Sequence, residues 1–111
     1  MSYNLFLDDI RDPPRDAEYV VVRNYDEFVE CVLQKGMPAH VSFDHDLSDL
    51  HYQGLAGVEK TGYDCAKWLA EQCEQQDCEP PTFSVHSMNP VGANNIRRCM
   101  QACVNRYFGN N

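Results

Sequence analysis

The chain has 111 residues, 43% of them hydrophobic and 11% aromatic. That is too apolar for a disordered segment, and long enough to form one core that buries ~65% of the unfolded surface without disulfides or a structural metal. Nine Lys and Arg against 17 Asp and Glu leave a net charge of −8, which repels nucleic-acid phosphates and anionic lipid, so neither a polynucleotide nor a membrane is an expected partner. A small phosphorylated ligand remains allowed, because a bound divalent cation reverses the field of clustered carboxylates.

In chain order, Tyr3 to Leu7 is a short apolar run that ends in Asp8-Asp9, and Asp12-Pro13-Pro14 then forbids regular structure. This reads as a buried strand with acids at its carboxyl end. The β-branched stretch Tyr19 to Arg23 is a second strand, and Asn24 with Glu27 has the spacing of a helix capping box. Phe28, Cys31, Val32 and Lys35 follow at helical spacing, with Gly36 as the stop and Pro38 just beyond it. His40 to Phe43 is the third strand, again ended by acids in Asp44-His45-Asp46, and the polar stretch from Leu47 to Lys60 reads as a long loop.

Thr61-Gly62-Tyr63-Asp64 has capping-box spacing, and Ala66, Leu69, Ala70 and Cys73 then mark one buried helical stripe. Thr82 to Val85, ending in His86-Ser87, is the fourth strand. Asn89-Pro90 starts the last helix as N-cap and N1, with Ile96, Cys99, Met100, Cys103 and Tyr107 on its inner face. The pattern predicts a single domain over 1–111. Its fold class is α/β: a receiver-like (flavodoxin-like) three-layer sandwich with a mostly parallel sheet of about four strands. No basic leader, apolar h-region or membrane-length run is found, so a cytoplasmic location is expected. The six cysteines contain no CxxC pair and read as free thiols, with Cys99 and Cys103 as core residues.

In such sheets ligands bind outside the carboxyl ends of the strands, where the winding direction switches. Asp8, Asp9, Asp44 and Asp46 converge there and would repel one another unless a cation or protons intervened, or they simply end strands and start turns. Asp8, Asp9 and Asp44 are the expected ligands of a hard divalent metal, Mg²⁺ first and Mn²⁺ next. His45 and His86, with Asp46 and Ser87, are candidates for acid–base chemistry, the alternative for each histidine being a ring that satisfies backbone groups. His40 and His51 carry no such signal. Ser87, Asn89 and Gly92 at the start of the last helix, with Arg11 after the first strand, could receive a phosphate; Lys60 is a weaker candidate. Thr61 and Asp64 serve capping first.

The strings LFLDDIRDPP, VSFDHDLS, TGYDCAKWL and VHSMNPVGANNIRRCM together resemble the cyclic-phosphate processing receiver-like domain family over nearly the whole chain. The resemblance implies a receiver-type fold, activity on a cyclic phosphate or nucleotide, and a site drawn from Asp8, Asp9, Asp44, His45, Asp46, His86, Ser87 and Asn89. Unlike signalling receivers, the chain offers no fifth strand ending in lysine. The expectation is a metal-dependent phosphoesterase that opens or transfers a cyclic phosphodiester. The alternatives are a module that binds a cyclic nucleotide without turnover, and a signalling domain phosphorylated on Asp44 or Asp46.

Overall fold

The computed structural model describes residues 3–9, 11–15, 18–44, 61–87 and 89–109. The elements run β1 (Asn4–Leu7), β2 (Val20–Val22), α1 (Tyr25–Lys35), β3 (His40–Phe43), α2 (Gly62–Gln76), β4 (Thr82–Val85) and α3 (Pro90–Tyr107). The strands form one sheet in the order β2-β1-β3-β4, and every pair is parallel. The receiver-like α/β fold expected from the sequence is therefore the fold that forms. Because the chain steps from β1 outward to β2 and later from β3 outward to β4, the winding reverses between β1 and β3. Ligand crevices in open parallel sheets lie at that point.

Each helix starts where its sequence dictates. Asn24 accepts a hydrogen bond from the Glu27 N–H at 2.9 Å, and Thr61 forms a reciprocal capping box with Asp64. Asn89 caps α3 with Pro90 at its first position. α1 stops at Gly36, whose φ of 89° only glycine adopts without strain and whose N–H donates to the Val32 carbonyl.

Leu5 and Leu7, Val41 and Phe43 point to one face of the sheet and form a single core with Phe28 and Val32 of α1, Cys65, Ala66 and Leu69 of α2, and Ile96 and Met100 of α3. Burying side chains of this size contributes ~1.5–3 kcal/mol each. Among the described residues, the alternate positions build the other face from side chains. Phe6 meets the Tyr19 ring edge-on, Tyr19 lies beside His40, and the His40 ring nitrogens bond to Thr82 and Ser84. At the edge strand β4, Thr82 and Ser84 are exposed whereas Phe83 and Val85 are partly buried. Tyr107, expected inside, is 40% exposed; it sits in the last turn of α3 and packs edge-on against its neighbour Phe108.

Candidate metal centre

The parallel ladder carries one register beyond the strands. The last full pairs join Leu7 to Val22, Leu7 to Phe43, and Phe43 to Val85. The next N–H groups then bond across: Asp8 to the Val22 carbonyl, Asp44 to Leu7, and His86 to Phe43. Arg23, Asp8, Asp44 and His86 thus occupy one row across the sheet. Leu7, Phe43 and Val85 pack toward the helices, so side chains one residue later turn to the opposite face.

There the ligand atoms of Asp8, Asp44 and His86 lie within 4.8 Å of one another. Asp8 is fully buried, Asp44 is 5% exposed and the His86 side chain is 22% exposed. His86 is fixed on three sides. Its Nε2 lies 3.0 Å from Asp8 Oδ2, its Nδ1 lies 2.7 Å from Ser42 Oγ, and its ring stacks on Phe6 with centroids 4.8 Å apart. An ionised carboxylate only accepts, so the tautomer that pairs with Asp8 carries its proton on Nε2 and accepts at Nδ1 from the Ser42 hydroxyl. A hydroxyl both donates and accepts. Ser42 can therefore also receive an Nδ1–H, the tautomer that frees Nε2 for a metal.

Burial raises the Asp44 carboxyl above its ordinary value, and the Asp8 charge raises it further against the opposing pull of His86 and Arg11. The Asp9 carboxyl is raised too, by burial and by Asp8, while its own backbone and Arg11 pull it down. Among the described residues, two buried carboxylates face one another here beside one imidazole, and their repulsion is what a cation would relieve. The donor set fits a divalent metal.

The loop after β1 is pinned to this row. Asp8 Oδ1 accepts from the Arg11 N–H at 2.8 Å, and the Arg11 guanidinium spans to the His86 carbonyl at 3.3 Å. Arg23 donates to the carbonyls of Asp8 (3.2 Å) and Arg11 (2.6 Å) and to Asp12 Oδ1 (2.7 Å).

Of the residues singled out from sequence, the structure brings together Asp8, Asp44 and His86, with Asp9 and Arg11 beside them. Ser87, Asn89 and Gly92 follow His86 and bond among themselves: the Asn89 N–H donates to Ser87 Oγ at 3.1 Å, and the Gly92 N–H to Asn89 Oδ1 at 3.0 Å. His45, Asp46, His51 and Lys60 lie outside the described residues. Sequence reasoning missed Ser42, Phe6 and Arg23. A serine within the apolar run Val-Ser-Phe, and an arginine directly after β2, level with the acids, were the available signals.

The family model of the cyclic-phosphate processing receiver domain matches residues 3–102. The chain belongs to that family. No curated protein and no solved structure matches it significantly.

Proposed function

We propose that the chain is a metal-dependent phosphoesterase that opens a cyclic phosphodiester. The observation that carries this is the convergence of Asp8, Asp44 and His86 at the reversal point of the sheet, in a family named for cyclic-phosphate processing. Asp8 and Asp44, with His86 through Nε2, would hold the ion. Two carboxylates suit Mg²⁺ and Mn²⁺, and participation of the imidazole favours Mn²⁺. When bound, the ion offsets charge on the phosphoryl oxygens and lowers the pKa of water.

The remaining roles fall to the chain's own groups. Arg11, half-exposed and anchored through its backbone to Asp8, would receive a phosphate oxygen. Asp9, whose raised carboxyl retains a proton more readily than an ordinary aspartate, would exchange one with water or the leaving alkoxide. Ring opening adds water to phosphorus and breaks one P–O ester bond, with the proton ending on the departing oxygen. Ser42 and Phe6 hold the His86 ring in place, and Arg23 holds the Arg11 loop.

Both ring nitrogens of His86 are engaged, which favours a second reading: a cradle that binds a cyclic nucleotide without turnover. Phosphorus NMR with nucleoside 2′,3′- and 3′,5′-cyclic phosphates, in Mg²⁺, Mn²⁺ or chelator, separates the two. Metal-dependent appearance of a monoester resonance supports the enzyme. Line broadening of an intact cyclic diester, with no product, supports the cradle and rejects the enzyme.

A further inference from the structure

A group of sulfur-bearing side chains lies at the other pole of the domain. α2 and α3 both run back from the carboxyl ends of the strands, so their last turns meet near the amino end of β3. There Cys73, Cys78 and Cys103 line a common cavity of about 160 Å³. Cys73 Sγ lies 3.6 Å from the sulfur of Met37, which precedes β3. Local structure explains the gathering. α2 ends with Asp77 in the left-handed conformation (φ 51°), and the Cys78 N–H returns to the Cys73 carbonyl at 3.2 Å. That motif folds Cys78 back over Cys73. Cys103 packs against Cys73 from α3, with Met37, Cys78 and Cys99 around the pair. All six cysteines are free.

Packing alone does not need a thiol at Cys73, Cys78 and Cys103, since another small apolar side chain of matching volume would fill each position. Burial first, then the neighbouring Cys103 and Cys78, push the Cys73 thiol well above its ordinary value. Cys73 and Cys103, both raised by burial, are therefore poor nucleophiles and are not poised for redox chemistry. A soft cation that displaces their protons is the chemistry left to them.

We propose that Cys73, Cys103 and the Met37 thioether form a binding site for Cu(I), with Cys78 lining the cavity outside the ligand set. Thiolate and thioether donors select this ion, whereas zinc takes Cys, His or carboxylate. Metal–sulfur bonds of ~2.3 Å place sulfurs sharing an ion within ~4.6 Å of each other, a limit the Cys73–Met37 distance meets. Binding releases the two thiol protons of Cys73 and Cys103 to solvent and changes no oxidation state. Glu74 and Asp77 at the cavity mouth attract a cation, and Arg106, paired with Glu74, compensates the thiolate charge.

The test is anaerobic titration of the whole chain with Cu(I) against a chromogenic chelator such as bicinchoninate. The expected result is one ion held per chain. Cys73→Ser and Cys103→Ser should weaken retention about a hundredfold or more, and Met37→Leu about tenfold. X-ray absorption of the wild-type complex gives a reading independent of how the variants fold, and should show a sulfur-only shell. Failure to compete with the chelator, retention unchanged in Cys73→Ser, or nitrogen and oxygen in the shell would each overturn the proposal.

Discussion

Replacing Asp44 by asparagine removes a charge while keeping the shape, and its effect on stability has an unusual sign. Asp44 is 5% exposed, and burial together with the charge of fully buried Asp8 raises its carboxyl pKa in the folded chain. A group whose folded value is raised contributes most below its unfolded value, ~3.9 for aspartate. That contribution is lost as pH rises through the folded value, so ionised Asp44 opposes folding near neutrality. In chelator at neutral pH, Asp44→Asn should stabilise the protein by about 1 kcal/mol, the scale of one relieved unfavourable contact, or about 5 °C for a domain of this size. The gap should close at acid pH, where neither side chain is charged in either state. Metal reverses the order. At a hundred times its Kd an ion adds ~2.7 kcal/mol to the wild type, and little to a variant that has lost a ligand. Differential scanning calorimetry in chelator and in Mn²⁺ reads both effects. A variant less stable than wild type in chelator at neutral pH would refute the repulsion argument, and an undiminished gain from Mn²⁺ would refute the ligand assignment.

Ser42→Ala removes the partner of His86 Nδ1 and should weaken Mn²⁺ binding ~10–100-fold by calorimetric titration, while costing only ~1 kcal/mol of stability. Arg23→Ala cuts the ties to Asp8, Arg11 and Asp12; stability should fall by ~1–3 kcal/mol, and KM for the cyclic phosphate should rise more than kcat falls. Thr61→Ala breaks the α2 capping box and should cost ~0.5–2 kcal/mol in urea unfolding with unchanged Mn²⁺ affinity.

The order of elements was legible because local signals agreed with one another. The caps at Asn24, Thr61 and Asn89 and the stop at Gly36 each act within a few residues. The acids of the site were legible because they interrupt apolar runs at strand ends, where parallel sheets keep their ligands. The partners of those acids were not. Whether Ser42 and Phe6 face the helices or the site depends on which side of each strand the helices cover, and a four-residue run does not encode that. Arg23 acts through backbone carbonyls of a loop distant in sequence, which leaves no periodic trace. Tyr107 matched the buried period of α3, yet it lies in the last turn, at the rim of the cavity against α2, packs edge-on with Phe108 and stays 40% exposed.

The most direct test of the account is the initial rate of ring opening of a cyclic phosphate by the wild-type chain and by Asp8→Asn, each with Mn²⁺ and with chelator. The account predicts turnover only in the wild type with metal. Turnover that survives chelation, or an Asp8→Asn variant as fast as wild type, would contradict it.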